Sequence, residues 1–414
     1  MTRDPHSPET RPVPSPGSAT EVLVAFTKLG FTSFGGPVAH LGYFRAEFVD
    51  RRRWLDDNSY SDLVALCQFL PGPASSQVGM ALGLGRAGWL GALAAWIGFT
   101  LPSAIALILF AYGVANWSEL SVSGVIHGLK IVAVAVVAQA IWGMSKTLCP
   151  DRIRGEIAIM ASILVLLLPS SWAQIGAIMA GGLIGWRLLS LEQLPPMQHR
   201  YHGVSRRTGT ILLAFFLLLL GALPFLASLT GLAELAAVSA FYRAGSLVFG
   251  GGHVVLPLLQ SSVVSAGWVD SDTFLAGYGA AQAVPGPLFT FAAFLGASMP
   301  APLSGWLGGL IMLGTIFLPA FLLVAGTLPY WEQLRQRKAV RRAMGGVNAA
   351  VVGILGAAFY DPIWISAIHD PGDVGLALAA YGLLVLGKTS PLIVVVLAGA
   401  GGWLLKGCAF SSFF

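Results

Sequence analysis

Residues 66–77 read LCQFLPGPASSQ, and residues 280–291 read AAQAVPGPLFTF. Each stretch places a Pro-Gly-Pro sequence inside an apolar segment, shortly after a glutamine. Proline removes a backbone donor and clashes with the preceding helical turn, and glycine adds conformational freedom. We therefore predict that both segments form helix–break–helix hairpins rather than single continuous helices.

The Pro-Gly-Pro sequence belongs to an internal repeat. Gln282 follows Gln68 by 214 positions (282 − 68), and the Phe-Gly-Gly of residues 34–36 recurs at residues 249–251. Rare residues that recur at a nearly constant offset indicate a duplicated chain. We predict five segments along the chain. They are a disordered N-terminal tail (1–20), a first repeat (21–190), a basic loop with a connecting transmembrane helix (191–235), a second repeat (236–406) and a C-terminal tail (407–414).

The composition places this chain in a membrane. It is 56% hydrophobic and only 10% charged, whereas a soluble domain carries about 25% charged residues. So much apolar surface requires lipid as the solvent, which excludes a soluble enzyme, a nucleic-acid binder and a disordered protein. The three cysteines have no paired spacing, so we expect neither a disulfide framework nor a metal site. No cofactor is expected.

Charged loops indicate how the two repeats are oriented. The basic cluster Arg51–Arg53 corresponds to the uncharged Ser265–Gly267, whereas Trp117–Gly124 lacks basic residues and its counterpart Arg335–Arg342 is strongly basic. Equivalent loops therefore face opposite sides of the membrane. The predicted fold class is an all-α polytopic membrane protein of two inverted homologous repeats with broken, re-entrant helices. The chain is predicted to have roughly nine to thirteen membrane segments. We prefer nine full crossings, with four further segments forming re-entrant hairpins.

Four motifs together resemble the chromate ion transporter family, long-chain bidomain type. They are residues 34–48 (FGGPVAHLGYFRAEF), 66–77, 249–253 (FGGGH) and 282–287 (QAVPGP). The resemblance covers nearly the whole chain and implies a multi-pass carrier of the inner (plasma) membrane that exports chromate and confers chromate resistance, with a proposed proton coupling. Sulfate or another tetrahedral oxyanion, moved by uptake, is the alternative. Besides the oxyanion, the implied partners are membrane lipids, with no nucleic acid, and a homodimer is left open.

The broken helices suggest how such an anion is held. A dianion that enters lipid must exchange its hydration shell for fixed donors. The start of each half-helix offers unpaired backbone N–H groups and the positive end of the helix dipole. The candidate substrate-binding residues lie at the breaks or carry a cation nearby: Lys28, Gly35, Gly36, His40, Gln68, Pro71, Gly72, Pro73, Ser75, Ser76, Gln77, Arg243, Gly250, Gly251, Gln282, Pro285, Gly286 and Pro287.

Most of these candidates also have a structural interpretation. Each Pro-Gly-Pro sequence lines the substrate path or only forms a tight turn. Lys28 and Arg243, equivalent positions of the two repeats, attract the anion or extend to lipid phosphates at the interface. Gln68 and Gln282 donate to the substrate or satisfy backbone groups that the break exposes.

The titratable residues near the breaks have alternatives as well. His40 and His253 donate to the anion or have a structural role, and Glu47 or Asp62 is a candidate proton carrier. We expect Arg45 to pair with Glu47. An intramembrane enzyme with a histidine base is disfavoured, because the broken segments contain no paired carboxylates and no activated nucleophile. The protein is therefore expected to be a transporter and not an enzyme.

Overall fold

A computed structural model describes residues 17–116, 120–168, 170–190 and 204–411. Within these ranges the regular secondary structure is entirely helical. Parts of several predicted segments lie outside the described residues: 1–16 of the N-terminal tail, 117–119 of the loop without basic residues, 191–203 of the basic loop and 412–414 of the C-terminal tail.

The first repeat consists of seven α-helices. They are α1 (Ala19–Thr32), α2 (Gly36–Phe44), which continues as a π-helical turn (Arg45–Arg51), α3 (Asp57–Phe69), α4 (Ala74–Asn116), α5 (Leu120–Leu148), α6 (Arg152–Leu167) and α7 (Ser171–Leu188). The first of them begins inside the predicted tail, because the Ser18 hydroxyl accepts from the Glu21 amide and caps it.

The second repeat follows a connecting helix, α8 (Arg206–Thr230). Its helices are α9 (Ala233–Leu247), α10 (Val255–Val263) after a 3-10 turn (Gly252–Val254), α11 (Ser271–Ala283), α12 (Phe291–Ser298) after a second 3-10 turn (Leu288–Thr290), α13 (Gly305–Thr327), α14 (Trp331–Gln336), α15 (Lys338–Ala358), α16 (Ile365–Ala367), α17 (Pro371–Val385) and α18 (Pro391–Ser411).

The predicted breaks occur at equivalent places in both repeats. In the first repeat the chain leaves helical geometry between α1 and α2 and again between α3 and α4; in the second it does so between α9 and α10 and between α11 and α12. The helices that precede Pro-Gly-Pro also start alike, because Asp56 and Asp270 cap α3 and α11 with their carboxylates. The prediction of broken helices is confirmed.

The longest helix, α4, folds back on itself. The 43 residues of α4 would span roughly 65 Å if straight, about twice the hydrocarbon thickness. Helical geometry is lost at Ala87 and Gly88, and Gly83 packs against Gly91 across the turn. The equivalent turn separates α12 from α13, where Gly296 packs against Gly308. Residues 74–86 therefore form a short arm, and residues 89–116 form the long helix that leaves it.

Contacts between loops define two ends of the helical bundle. At one end, the Arg86 carbonyl accepts from the Gly17 amide, and Arg335 pairs with Asp62 at 3.0 Å. We call this the basic end, because Arg51–Arg53 and Arg335–Arg342 both lie there. The loops predicted to share one side of the membrane are therefore together in space.

The opposite end lies where residues 89–116 finish and α5 begins. Here Lys130 of α5 pairs with Asp272 of α11 at 2.7 Å, and His127 of α5 contacts Asp373 of α17 at 2.7 Å. We call this the acidic end. The start of α11 lies here, whereas the start of the equivalent α3 lies at the basic end, which is the arrangement of an inverted repeat.

Among the described residues, five helical stretches are long and apolar enough to cross a membrane. They are Ala74–Ala115, which includes the fold-back, Gly124–Leu148, Arg206–Thr230, Gly305–Gln336 and Lys338–Ala367. The helix α8 exposes large side chains such as Leu217, Leu218 and Leu229 along its length, as expected for a helix that contacts lipid. The count of nine crossings additionally requires α6, α7, α17 and α18, and it stays a prediction.

Candidate functional site

The four helix breaks meet in one region, and each hydrogen-bonds a break of the other repeat. The Gly72 amide donates to the Val248 carbonyl at 2.7 Å, and the Gly286 amide donates to the Ser33 carbonyl at 2.9 Å. These two bonds are equivalent under the internal repeat, because 33 and 248 differ by 215 and 72 and 286 by 214. The Pro-Gly-Pro sequences are therefore more than isolated turns: they join the two repeats.

Glycine is required at the centre of each Pro-Gly-Pro. Gly72 has a φ of 121° and Gly286 a φ of 100°, a region that side chains strongly disfavour. Each glycine also lies against a helix of the other repeat, because a Cβ on Gly72 would meet Ala320 and a Cβ on Gly286 would meet Ser103. The Ser103 hydroxyl also donates a hydrogen bond to the Pro285 carbonyl.

The Pro-Gly-Pro break of the first repeat, between α3 and α4, is lined by buried polar side chains. Ser75, Ser76 and Gln77 form the first turn of α4 and are 2%, 2% and 0% exposed. The Gln77 side-chain amide donates to the Pro71 carbonyl at 2.8 Å, which holds the break open. His40 Nδ1 lies 3.3 Å from the Ser75 hydroxyl, so the start of α2 meets the start of α4.

Several polar atoms in this region have no hydrogen-bond partner in the described part of the chain. They are Ser33 Oγ, His40 Nε2, Ser76 Oγ, Gln77 Oε1 and Thr100 Oγ1. An unsatisfied buried polar group costs about 1–3 kcal/mol, so such a concentration is expected where a ligand completes the hydrogen bonding. Three hydroxyls and an imidazole can all donate, and the free amides at the start of α4 lie beside them. This arrangement favours an anionic ligand with several atoms that accept hydrogen bonds.

The equivalent break of the second repeat is apolar. Phe289, Thr290 and Phe291 occupy the positions of Ser75, Ser76 and Gln77. The two phenylalanines are 1% and 0% exposed, and the Thr290 hydroxyl donates to the Pro287 carbonyl at 2.8 Å. The hydroxyl is thereby used within the turn. The second break thus repeats the backbone of the first without its free side-chain donors.

The structure sorts the predicted site residues by exposure. Three are exposed: Lys28, Gly35 and Gln68. Eight are partly buried: Gly36, Pro71, Arg243, Gly250, Gly251, Gln282, Pro285 and Gly286. The remaining seven are buried: His40, Gly72, Pro73, Ser75, Ser76, Gln77 and Pro287. The residues that combine burial with free donors are therefore concentrated in the first repeat.

The two glutamines of the motif have different surroundings. Gln68 is exposed, whereas the Gln282 side-chain nitrogen is buried without a hydrogen-bond partner among the described residues. His253 lies near Gln282, and its Nδ1 is 2.8 Å from the Tyr278 hydroxyl. Tyr278 thus lies between the two residues, because it interacts with the Gln282 side chain as well as with His253.

Arg243 lies in a separate, small pocket of about 10 Å³ beside α10. Its guanidinium donates to the Ser262 hydroxyl at 3.4 Å, a neutral partner rather than a carboxylate. Gln174 and Ser261 line the same pocket. Both residues also line an adjoining cavity of about 130 Å³, which continues past Ser170, at the acidic end of α7. The equivalent Lys28 is exposed on α1, whereas Arg243 lines this small interior pocket.

The candidate proton carriers are held in ion pairs at the basic end. Burial disfavours the charged form of Glu47, but hydrogen bonds from Arg51 and Arg52 outweigh burial and hold the pKa of Glu47 below its ordinary value. The expected pair between Arg45 and Glu47 is wrong, because Arg45 instead pairs with Asp50 at 3.4 Å and with Asp57 at 2.7 Å. Arg45 and Glu47 are two positions apart in the π-helical turn, and residues i and i+2 of a helix do not face each other.

Sequence reasoning missed several residues of the site. Ser33, Thr100 and Ser103 come from α1 and the long helix after the fold-back, and Gln174 and Ser261 line the Arg243 pocket. A signal existed for Ser103, because it follows Pro102, which belongs to a Leu-Pro pair that recurs in the second repeat. For the others the contacts between distant helices supply the only indication.

Comparison with known proteins agrees with this architecture. The sequence model of the chromate transporter family matches residues 20–186 and 235–403, one match for each repeat. No solved structure was found to match the chain.

Individual relatives align over nearly their full length. The chain is 30% identical to a chromate transport protein of Pseudomonas aeruginosa over 412 residues, which is 96% of this chain and 94% of the relative. It is 27% identical to a probable chromate transport protein of Synechococcus elongatus, covering 93% and 95%. It is 25% identical to a chromate transport protein of Cupriavidus metallidurans, covering 90% of each chain. With both repeats matched and the relatives aligned end to end, this chain is a multi-pass membrane protein that belongs to the chromate transporter family.

Proposed function

We propose that this protein exports chromate across the inner (plasma) membrane and thereby confers chromate resistance. The observation that carries the proposal is the group of buried, unpartnered donors at the break of the first repeat. The names of the relatives, which are chromate transport proteins, support the choice of substrate.

The chemistry of the site suits a tetrahedral dianion. Chromate presents four oxygens that accept hydrogen bonds in different directions. The hydroxyls of Ser33, Ser76 and Thr100, the His40 imidazole and the first amides of α4 supply donors from several elements. The positive end of the α4 helix dipole adds a favourable potential without a buried countercharge. Sulfate has the same shape and charge, so it is the competing substrate.

Charge supports the orientation and the direction of transport. Cytoplasmic loops are enriched in lysine and arginine, which assigns the basic end to the cytoplasm. A potential of 100 mV, negative inside, is worth about 2.3 kcal/mol per charge, so a dianion that leaves gains about 4.6 kcal/mol. Export therefore needs no coupling ion in principle, whereas uptake does.

The Arg243 pocket provides a second step of the proposed path. It lies toward the acidic end, where the anion would leave, and within the described residues the hydrogen-bond partner of its cation is the neutral Ser262 hydroxyl. The adjoining cavity of about 130 Å³ is lined by the polar residues Ser170, Gln260 and Ser265 and also by the carboxyl-bearing Asp361. In this scheme the anion passes from neutral donors at the break to the larger cavity next to the Arg243 pocket, and then to the outer solution.

The central site is tested by removing hydroxyls without changing the backbone. We expect Ser75→Ala combined with Ser76→Ala to weaken apparent chromate affinity about 10- to 100-fold, because the free Ser76 donor is lost and a hydrogen bond to a charged group is worth roughly 1.5–3 kcal/mol. The same variant removes the Ser75 hydroxyl that contacts His40. Thr290→Val is the matched control, since it removes the equivalent hydroxyl of the second repeat, and it should change affinity less than about twofold. The measurement is chromate flux in proteoliposomes with matched protein amounts. Equal loss in both variants would contradict the proposed site.

Substrate and direction are tested separately in everted vesicles. Labelled chromate should accumulate, and unlabelled sulfate should compete according to its own affinity. Accumulation of sulfate without accumulation of chromate would favour the alternative, a sulfate transporter. Accumulation that is unchanged when only the pH gradient is collapsed would exclude obligatory proton antiport.

A further inference from the structure

A cluster of two histidines and one aspartate lies at the acidic end, away from the helix breaks. We propose that His127, His369 and Asp373 form a binding site for a divalent transition-metal ion such as Zn²⁺. The cluster joins α5 of the first repeat to the start of α17 in the second. The proposal does not rest on the proposed function, because metal binding is measured without transport.

The three side chains already approach one another. His127 Nε2 lies 2.7 Å from Asp373 Oδ1, and His369 Nδ1 lies 3.9 Å from Asp373 Oδ2. All three ligand atoms lie within 4.8 Å of one another. Two ligand atoms on a tetrahedral zinc ion at 2.0–2.1 Å are about 3.3 Å apart, so the two measured separations bracket the required value.

The surroundings fix two ligands and leave the third adjustable. The Asp373 side chain is 1% exposed and that of His127 is 10% exposed. The backbone amide of His369 donates to Asp373 Oδ2 at 2.9 Å, which orients the carboxylate from outside the ligand set. The His369 side chain is 59% exposed, so its ring can move toward the ion. The same exposure leaves a coordination position open to solvent.

The donor set selects the class of ion. Two imidazole nitrogens and one carboxylate oxygen suit zinc, nickel, cobalt or copper, whereas calcium and magnesium prefer oxygen ligands. The alternative is a plain hydrogen bond between His127 and Asp373 that links α5 to α17, with His369 uninvolved. The role of His369 therefore distinguishes the two interpretations.

The test uses the full chain, purified in detergent without a histidine tag. Bound Zn²⁺ is counted per chain, and thermal unfolding is followed as Zn²⁺ is titrated. We expect one ion per chain and a rise in Tm. His369→Ala should weaken binding more than about tenfold, because one of three protein ligands is lost. Since His369 is exposed, this variant should fold like the parent chain without metal. Asp373→Asn should also lose the ion.

Asp370→Asn is the matched control. Asp370 is adjacent and caps α17 through the amides of Gly372 and Asp373, a role that asparagine can also perform. This variant should bind Zn²⁺ like the parent chain. A parent chain that binds no Zn²⁺, or a His369→Ala variant that binds it as tightly as the parent, would overturn the proposal.

Discussion

The two Pro-Gly-Pro breaks share a backbone but differ in the side chains that surround it. Gly72 and Gly286 have similar φ angles, and each donates to a carbonyl at the other repeat's first break. Ser75, Ser76 and Gln77 follow the first break, whereas Phe289, Thr290 and Phe291 follow the second. The break is therefore a fold element that both repeats need, whereas the polar site is an addition made in one of them.

The same asymmetry extends to the helices that pack on the breaks. Ser33 and His40 of the first repeat correspond to Val248 and Val255 of the second. Thr100 corresponds to Phe317, whose ring packs on Phe289 with centroids 5.6 Å apart. The second break is therefore filled by aromatic packing, which supports the first break from across the repeat interface.

The largest expected effect is on stability and comes from the aromatic side. Phe291 is fully buried and packs edge-to-face on Phe274 at 5.1 Å. Phe291→Ala should lower the free energy of unfolding by about 3–5 kcal/mol, because it leaves a cavity in a packed core. Its equivalent Gln77→Ala should cost less stability and should lower chromate flux more per folded molecule. Thermal unfolding and flux, measured on the same samples, check the comparison.

The opposite pattern would break the comparison. If Gln77→Ala unfolded the protein while Phe291→Ala only slowed transport, the polar and structural roles would have to be exchanged between the repeats. A Phe291→Leu variant retains most of the buried volume and serves as the milder control.

An intermediate and equal effect is expected at the two central glycines. Gly72→Ala and Gly286→Ala should each lower the free energy of unfolding by about 1–3 kcal/mol, because the φ angles strain any side chain. The new methyl groups would also meet Ala320 and Ser103. Thermal unfolding of both variants should shift by similar amounts. A shift in only one of them would show that the breaks are unequal in the fold as well.

The smallest effects concern the two equivalent cations. Arg243→Gln should reduce chromate flux about tenfold, the equivalent of losing one modest charge-assisted contact of about 1.4 kcal/mol. Lys28→Gln should change flux less than about twofold, because Lys28 is exposed on α1 and an exposed lysine at a helix surface extends toward the interface. Initial rates in proteoliposomes measure both. Equal loss in the two variants would place Lys28 on the path.

Much of the fold could be predicted from the sequence because its signals are local. The breaks follow from prolines and glycines whose backbone restrictions act within a few residues. The inverted orientation follows from the basic loops Arg51–Arg53 and Arg335–Arg342, because loops rich in lysine and arginine stay on the cytoplasmic side of the membrane. The donors Ser75 and Ser76 could be named because they directly follow a break.

Contacts between distant segments could not be predicted in this way. The pair of His127 and Asp373 joins residues 246 positions apart, and nothing in either segment indicates the other. The different exposure of Lys28 and Arg243 is also a result of packing, because their sequence settings are equivalent.

By itself, the sequence determined that this protein is a duplicated, inverted helical membrane protein with two broken segments in each half. Hydrophobicity, charge and backbone stereochemistry act residue by residue and can be read in order along the chain. Three further features are visible only in the folded chain: the breaks bond across the repeats, the free donors collect around the breaks of the first repeat, and Arg243 faces a small pocket. Those features depend on which helices pack together, and packing is a property of the whole folded chain.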